Sequence, residues 1–306
     1  DIKCSANRSG TLHCAHSQNG LKDIQKRYQQ LSSRGAELEL LDRQQTNQRI
    51  GSLKFFGALF NKSAGTINPL NYCIGLARAA QSKGANIYES TLAIKIQSSN
   101  NHWLVDTPDG SIKAKMLLIA TNAYQQPIKG IKSPEYTGVH YFQVATNPLP
   151  EKTSNMILPN GEGCWDTASV MSSFRLDEDN RFIVGGVGNL GHGASKIHTN
   201  WAKRKMESLF PQLKNTPIEY SWHGRIAMTG NHIPKIIKLG NNAYSVFGYS
   251  GRGIGPGTYF GKAITDCFLN GNEDSLPVTP VNQNKEHFSS IKSKIFELGA
   301  TSSHLI

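Results

Sequence analysis

GYSGRGIGPGTYFGK, residues 248–262, carries five glycines within its first ten positions. An apolar segment, 243–247, precedes it and a helical pattern from Tyr259 to Leu269 follows it, which predicts a strand, a glycine turn and a helix. Glycines remove Cβ atoms where the backbone must approach another group closely. The start of the helix favours an anion or an electron-rich carbonyl. A tight turn that packs a helix on a sheet is the alternative, but Arg252 inside the turn favours a binding site.

The length, hydrophobic content and net charge of the chain narrow the classes of protein to which it can belong. A length of 306 residues with 38% hydrophobic content suffices for one large core or two moderate ones. Lys and Arg outnumber Asp and Glu by 33 to 22, which gives a net charge of +11 and suggests an anionic partner such as a dinucleotide, an acidic substrate, a membrane surface or nucleic acid. The most basic cluster, Lys203-Arg204-Lys205, is expected on a solvated helix face. No apolar run approaches the roughly 20 residues of a membrane span, so we predict no transmembrane segment.

The cysteines indicate a reducing environment. The sequence holds five of them, widely separated and without a C-x-x-C pair, which excludes the usual zinc and redox motifs. We expect buried free thiols in a cytoplasmic protein. The residues are Cys4, Cys14, Cys73, Cys164 and Cys267.

Three segments in the second half of the chain carry a resemblance to a known family: Trp222–Thr229 (WHGRIAMT), Asn231–Pro234 (NHIP) and Gly248–Ile254 (GYSGRGI). They resemble the C-terminal part of FAD-dependent oxidoreductases of the D-amino-acid oxidase and glycine oxidase superfamily, with gamma-glutamylputrescine oxidoreductase-like enzymes as the most similar branch. Residues 67–89 also resemble a family pattern. The resemblance implies that the glycine turn and the start of its helix face the flavin ring of FAD.

Two departures from related sarcosine oxidases refine this expectation. Those enzymes carry a flavin-linked cysteine at the position that corresponds to Ile226 in this chain, so we expect FAD to be bound non-covalently. They also carry a lysine where Gly255 stands here, so their carboxylate contact is not reproduced and a sarcosine-like substrate is not expected.

The order of patterns predicts an α/β (α+β) fold. Asn68 and Pro69 begin a helix whose apolar stripe and small residues at 75, 77, 79 and 80 would allow close packing on a sheet, and a strand is expected at 85–89. A three-stranded meander with an Asp109-Gly110 turn follows, and then a strand at 116–120 whose apolar residues are consistent with burial in a parallel sheet. We predict a partial FAD-binding Rossmann-like domain of the glutathione-reductase type. We assign it to 1–126, an antiparallel substrate-binding β lobe to 127–235, and a return to the FAD-binding domain with a C-terminal helix to 236–306. Gly185-Gly186-x-Gly188 is expected to be a bend at the sheet edge.

We expect the N-terminal unit of such enzymes to be missing from this sequence. FAD enzymes of this type begin with a strand, a G-x-G-x-x-G turn and a helix whose amides hold the pyrophosphate, and we identify no such unit. A truncated sequence, a second chain that supplies the unit, and a remnant that has lost FAD all remain open.

The resemblance also implies the residues of the site. For the cofactor they are Ala93, Thr121, Asn122, Gly224, Gly251, Arg252, Gly253, Ile254 and Thr258. For catalysis and substrate binding they are Arg252, Arg225, His223 and His232. An arginine matches a substrate carboxylate, and a histidine can remove the proton of a substrate amine, although a surface or core role is the alternative for each histidine. Tyr249, Tyr141 and Trp165 are candidates to line the pocket. No metal site is predicted.

Three functions follow, of which the first is our prediction. The resemblance implies that the chain is part of an FAD-dependent oxidoreductase. Such an enzyme is expected to oxidise the C–N bond of an amine or amino acid, gamma-glutamylputrescine-like or D-amino-acid-like, by hydride transfer to flavin. A non-catalytic remnant or binding module that has lost FAD is the second. A nucleic-acid-binding protein is the third and rests on the basic charge alone, so we expect no nucleic-acid partner.

Overall fold

The computed structural model describes residues 2–191 and 193–306. The strands are β1 (Thr11–Cys14), β2 (Leu38–Leu41), β3 (Ala58–Asn61), β4 (Lys95–Ser99), β5 (His102–Thr107), β6 (Gly110–Ala114), β7 (Leu117–Ile119), β8 (Thr137–Thr146), β9 (Gly163–Asp166), β10 (Ser172–Leu176), β11 (Phe182–Val187), β12 (Ile218–Met228), β13 (Lys235–Gly240) and β14 (Ala243–Phe247). The helices are α1 (Gln18–Ser32), α2 (Arg43–Ile50), α3 (Pro69–Ser82), α4 (Glu151–Ser154), α5 (Ser195–Leu209), α6 (Ile254–Asn270) and α7 (Ser289–Leu305).

The chain forms two compact units that interleave along the sequence. Unit 1 contains Asp1–Ala85, His140–Gly224 and Glu297–Ile306, and unit 2 contains Asn86–Val139 and Arg225–Phe296. This division differs from the predicted boundaries 1–126, 127–235 and 236–306, because strands from the start of the chain pair with strands that follow residue 140. The functional assignment of the predicted ranges stays a prediction.

Unit 1 is built on an eight-stranded sheet in the order β12-β8-β11-β10-β9-β1-β3-β2. β1 and β9 are parallel, whereas β8, β10 and β11 form antiparallel neighbours, as predicted for the lobe. Since side chains alternate along a strand, one face of the sheet buries apolar residues against α5. This core includes Leu12, Phe142, Val144, Phe174, Phe182, Val184, Ala202, Met206 and Leu209. The opposite face carries polar side chains.

Unit 2 contains two three-stranded sheets. The predicted meander is present as β4-β5-β6, and β13-β14-β7 forms the second sheet. β7 pairs parallel with β14, with Ser245 opposite Ile119, which agrees with the parallel pairing predicted for segment 116–120. The predicted burial holds for Ile119 only, and Met116 is 39% exposed. α6 packs Phe260 and Ile264 onto this sheet, next to Tyr244.

Helix α3 forms as predicted but does not pack as predicted. Asn68 caps it by accepting a hydrogen bond from the backbone of Asn71, and Pro69 occupies its first turn. None of its residues is buried, and Leu70 is 66% exposed. The segment 85–89 also lacks strand structure. Both expectations were wrong for the same reason: within the described chain, no element provides the sheet on which this helix and strand would pack.

Two further expectations need correction. Lys205 is only partly solvated, because its Nζ lies 2.7 Å from the buried Asp166 Oδ2, whereas Lys203 and Arg204 are exposed. Cys73 is exposed, whereas the other four cysteines are buried free thiols as predicted. Short helix α2, which carries a capping box at Asp42, was not predicted.

Across residues 2–191 and 193–306, no helix combines the length and the apolar character needed to cross a lipid bilayer.

Candidate functional site

The glycine turn between β14 and α6 has the strained backbone that its sequence suggests. Gly248 and Gly251 have φ values of 82° and 85°, in the left-handed region that favours glycine, and Ser250 between them has a φ of 52°. A Cβ on Gly248 would lie 2.4 Å from Thr229 Cγ2, so close packing also requires a glycine there. The turn therefore depends on glycine for both its conformation and its space.

Helix α6 starts directly after this turn, at Ile254, five residues earlier than the pattern from Tyr259 suggested. Its N-cap is Gly253, and no side chain caps its first turn. Residues 251–256 are exposed. Because the first N–H groups of an α-helix have no acceptor within the helix, the start of α6 offers unpaired donors and positive dipole potential to a ligand.

Asn122 links this turn to the end of a neighbouring strand. It follows β7 with a φ of 46°, and its Oδ1 accepts a hydrogen bond of 3.0 Å from the backbone N–H of Gly248. Thr121, beside it, is exposed, and its hydroxyl lies 3.3 Å from Gln125 Oε1. The carboxyl ends of parallel strands meet at one edge of a sheet, where ligands of α/β proteins commonly bind. The structure thus brings Thr121, Asn122 and the glycine turn together.

The end of β12 joins the same edge of unit 2. Ser250 N–H donates to the carbonyl of Ala227 at 3.1 Å, and the backbone N–H of Arg225 donates to the hydroxyl of Tyr124 at 2.9 Å. Arg225 and Arg252 are both exposed, and neither guanidinium has a hydrogen bond or ion pair to a described residue. Two cations with free donors therefore lie on the elements that form this edge.

Tyr249 and Thr258 are more constrained than the rest of the turn. Burial raises the pKa of Tyr249 to about 12, and its ring packs edge-on against Phe260 at 5.8 Å between centroids. Tyr249 therefore serves mainly to fix the turn on α6. The hydroxyl of Thr258 donates to the carbonyl of Ile254 at 2.9 Å, within the first turn of the helix.

The remaining predicted residues lie elsewhere. His223 and Gly224 are the last residues of their segment of unit 1, and the ring of His223 lies 6.0 Å from that of His140. His232 occupies an exposed turn in unit 2 with a φ of 59°. Ala93 packs beside Ile96 and the rest of a small apolar cluster. Their assigned roles stay predictions.

The polar face of the sheet in unit 1 borders two cavities that were not predicted from the sequence. They have volumes of about 1240 Å³ and 190 Å³. Trp165 lines the smaller one and stacks on His13 at 5.2 Å. Tyr141 lies on the same face, where its hydroxyl donates to Ser173 Oγ at 2.8 Å and burial raises its pKa to about 12. The polar residues that alternate with apolar ones in β8 and β10 were the available signal.

One glycine-rich segment in unit 1 has the spacing of a dinucleotide-binding fingerprint but not its structure. Gly186-Val-Gly-Asn-Leu-Gly191 reads G-x-G-x-x-G, a match that was not recognised from the sequence. It begins within β11, whose two neighbours are both antiparallel, so Gly185 and Gly186 lie inside the sheet and not in a bend at its edge as expected. Helix α5 begins only at Ser195. A Cβ on Gly188 would lie 2.6 Å from the ring of His198. These glycines therefore serve the packing of α5 on the sheet.

The described chain contains no cluster of three or more His, Cys, Asp or Glu side chains able to hold a metal ion.

Comparison with known proteins gives a consistent result. The DAO family model, FAD dependent oxidoreductase, matches residues 1–267. The probable oxidoreductase OrdL of Haemophilus influenzae is 30% identical over 245 residues, which covers 79% of this chain and 56% of that protein. The gamma-glutamylputrescine oxidoreductase of Escherichia coli is 29% identical over 265 residues, covering 85% of this chain and 61% of that protein. This chain thus spans somewhat more than half the length of these relatives.

Solved structures share the fold at low sequence identity. Glycine oxidase of Geobacillus kaustophilus superposes with a TM-score of 0.76 at 16% identity, covering 94% of this chain and 77% of that one. L-proline dehydrogenase of P. horikoshii gives a TM-score of 0.77 at 22% identity, covering 90% and 75%. These similarities agree with the predicted combination of a partial Rossmann-like FAD-binding domain and an antiparallel lobe.

Proposed function

Because this chain belongs to the family of FAD dependent oxidoreductases, we propose that it forms part of an enzyme that oxidises the C–N bond of an amine or amino acid. The observation that supports this most is the edge of unit 2 at which Asn122, the glycine turn and the uncapped start of α6 come together. FAD is the cofactor of the family, and a flavin ring matches such an edge because its carbonyl oxygens accept hydrogen bonds from free N–H groups.

The residues at this edge of unit 2 fit the flavin half of FAD. An ideal Cβ on Gly255 would meet nothing within 4 Å, so the first turn of α6 leaves open space for a ring system. Asn122, Gly251, Gly253 and Ile254 would contact the flavin half of FAD. Residues 2–191 and 193–306 offer the pyrophosphate half no comparable set of donors, because the glycines of the G-x-G-x-x-G segment pack against α5.

The chain's own residues would bind, orient and deprotonate the substrate. When bound, FAD supplies the redox chemistry by accepting a hydride from the carbon next to the amine nitrogen. The N–H groups at the start of α6 stabilise negative charge on the ligand that they contact. Arg252 is the first choice to bind a substrate carboxylate or the cofactor, and Arg225 is the second. His223 and His232 are the candidates to take the proton from the substrate nitrogen.

The names of the relatives support a proposal for the substrate class. We propose a small-molecule amine or amino acid of the gamma-glutamylputrescine or D-amino-acid type, because one relative is named for the former and others are named glycine oxidase. The free cysteines agree with a reducing, cytoplasmic location.

The phosphate-binding unit is proposed to come from outside residues 1–306, as a further segment or as a second chain. The exposed apolar residues of α3 support this, because Leu70, Ile74 and Leu76 are 66%, 39% and 42% exposed. Apolar side chains along one helix favour a covering partner. A non-catalytic module without FAD is the competing proposal.

A visible absorption spectrum tests the function. The protein is purified after co-expression with any open reading frame directly upstream, and flavin bands that bleach on addition of an amine or amino acid are expected. A colourless protein that also fails to bind added FAD would support the non-catalytic module instead. Arg252→Gln should weaken binding of an acidic substrate or of FAD, with Arg34→Gln at the exposed end of α1 as the control.

A further inference from the structure

Three polar side chains of unit 1 are shared by both cavities on the polar face of its sheet. Thr66, Gln143 and Arg175 line the larger and the smaller cavity alike. Gln143 projects from β8 and Arg175 from β10, with β11 between the two strands. These residues therefore occupy the place where the two cavities adjoin.

Glycines keep this place open. A Cβ on Gly163 would lie 2.6 Å from Thr66 Cγ2, and a Cβ on Gly185 would lie 2.6 Å from Gln143 Cγ. Side chains at these two strand positions would displace Thr66 and Gln143. Glycine at positions 163 and 185 therefore allows the side chains of Thr66 and Gln143 to line the cavities.

The guanidinium of Arg175 has no hydrogen bond or ion pair to any described residue. Burial lowers its pKa, while Asp177 opposes this effect. The carboxylate of Asp177 accepts hydrogen bonds from the backbone of Asp179 and Arg181 within the hairpin turn. Since an arginine remains charged in a protein, Arg175 is a largely desolvated cation without a paired anion.

The side chains of Thr66 and Gln143 likewise form no hydrogen bond to a described residue. The hydroxyl of Thr66 and the amide of Gln143 supply neutral hydrogen-bond donors beside the planar, cationic guanidinium of Arg175. A carboxylate matches this set, because its two oxygens accept a bidentate pair from arginine and further bonds from neutral donors. The acidic turn residues Asp177, Glu178 and Asp179 also line the larger cavity, which disfavours a more highly charged anion such as phosphate.

We propose that Arg175, Gln143 and Thr66 form a binding site for the carboxylate of a small organic molecule. The carboxylate belongs either to the substrate of the proposed oxidation or to a second, non-reacting ligand. The volume of the larger cavity, about 1240 Å³, is ample for a molecule of amino-acid size. Binding at this site requires neither FAD nor catalysis, so the site can be tested even if the proposed function fails.

Isothermal titration calorimetry on the full chain tests the site with glutarate and with its neutral analogue glutaramide. Glutarate should bind, and glutaramide should bind at least tenfold more weakly. Arg175→Gln should weaken glutarate binding about tenfold or more, and Arg175→Lys should weaken it less, because lysine keeps the charge but loses the bidentate geometry. Arg34→Gln, at the exposed end of α1, serves as the matched control and should bind glutarate like the unmodified chain.

Several results would overturn the site: no binding of glutarate, equal binding of glutaramide, or unchanged binding by Arg175→Gln. Thermal unfolding of the same variants separates binding from folding. Loss of an unpaired, largely buried cation should leave Tm unchanged or raise it. If Arg175→Gln does not fold, Gln143→Leu and Thr66→Val must each weaken glutarate binding several-fold, and unchanged affinity in both would exclude the site.

An activity assay then separates the two sources of the carboxylate. If flavin bleaching by an amine substrate is inhibited competitively by glutarate, the site holds the substrate carboxylate. If glutarate binds through Arg175 without competing, the site holds a second ligand. Both results retain the carboxylate site.

Discussion

Asn122 Oδ1 accepts a hydrogen bond of 3.0 Å from the backbone N–H of Gly248, and this bond joins the residues that follow two parallel strands of unit 2. Asn122 has a φ of 46°, which asparagine tolerates better than most residues. The side chain therefore holds the glycine turn in place from the end of a neighbouring strand. Together with the bond from Ser250 N–H to the carbonyl of Ala227, this amide fixes the arrangement of the candidate cofactor edge.

Replacement of Asn122 separates its two contributions. Asn122→Gly removes the hydrogen bond but keeps the backbone conformation, and should lower the free energy of unfolding by about 1 kcal/mol. Asn122→Ala adds the strain of a left-handed alanine, about 1–2 kcal/mol more. Urea denaturation measures both values. Equal stability of the two variants would contradict the strain argument, and unchanged FAD affinity would remove Asn122 from the cofactor site.

Gly255→Ala should lower cofactor affinity while changing the stability of the free protein little. The new Cβ meets nothing within 4 Å, and the gain of about 0.5–1 kcal/mol that alanine brings to a helix is opposed by Pro256, whose ring disfavours the helical conformation of a preceding residue with a Cβ. The same methyl group would occupy space proposed for the flavin, so FAD affinity should fall several-fold.

Gly261→Ala is the matched control for this change. Gly261 lies further along α6, and its Cβ also would meet nothing within 4 Å. It should stabilise the helix without changing FAD affinity, as measured by quenching of flavin fluorescence. If both variants bind FAD like the unmodified chain, the start of α6 does not contact the cofactor.

Lys205 and Asp166 form a buried ion pair in unit 1. Burial alone would raise the pKa of Asp166, but Lys205 at 2.7 Å and hydrogen bonds from Ser172 hold it below its usual value. Lys205→Met leaves a buried carboxylate without its cation and should destabilise the protein by about 2–3 kcal/mol, discounted for the partial exposure of Lys205. Chemical denaturation measures the loss.

Two companion variants make this prediction specific. Lys203→Met, on the exposed side of α5, should leave stability within about 0.5 kcal/mol of the unmodified chain. The double change Lys205→Met with Asp166→Asn should recover part of the loss, because the unpaired charge is gone. No recovery would show that the lysine acts through packing alone.

Acid should destabilise unit 1 through His304. Burial, together with His198 and Arg204, lowers the pKa of His304 from 6.5 to about 3. A depressed pKa means that the folded state favours the neutral imidazole, so this contribution to stability is complete above pH 6.5 and is lost as the pH falls toward 3. Tm should therefore fall by a few degrees between pH 7 and pH 5.

The variant His304→Phe tests the assignment. Its ring can keep the stacking on Trp201, where the centroids lie 4.0 Å apart, but it cannot bind a proton. It also loses the contact of 2.8 Å between the Nδ1 atoms of His198 and His304, so its stability at pH 7 should be lower and its pH dependence weaker. His102→Gln, a half-buried position on β5 in unit 2, is the control. An unchanged pH dependence in His304→Phe would assign the acid sensitivity to other groups.

Local patterns were sufficient to predict several elements of the fold. Asn68 and Pro69 predicted the start of α3, the Asp-Gly turn predicted the meander, and the glycine stretch predicted strand β14 and the helix after it. Each of these signals acts within a few residues, through capping, turn conformation or side-chain alternation. The family resemblance rested on the same segments, which is why it led to the FAD dependent oxidoreductases.

Predictions about packing were less successful. The apolar stripe of α3 was expected to be covered, the segment 85–89 to be a strand and Lys205 to be solvated, and the structure differs on each point. A stripe shows that a helix has an apolar side, but not which element covers it. A lysine that pairs with a residue 39 positions away gives no local signal.

The sequence by itself determined the glycine turn, the elements around it and the family, because these depend on interactions between residues close together in the chain. Only the tertiary structure decided that Asn122 accepts a hydrogen bond from Gly248. It likewise decided that Arg175, Gln143 and Thr66 together line both cavities of unit 1. It also decided that Gly186 to Gly191 packs a helix instead of binding phosphate. These outcomes depend on strand order and register, which bring together residues that are far apart in the sequence.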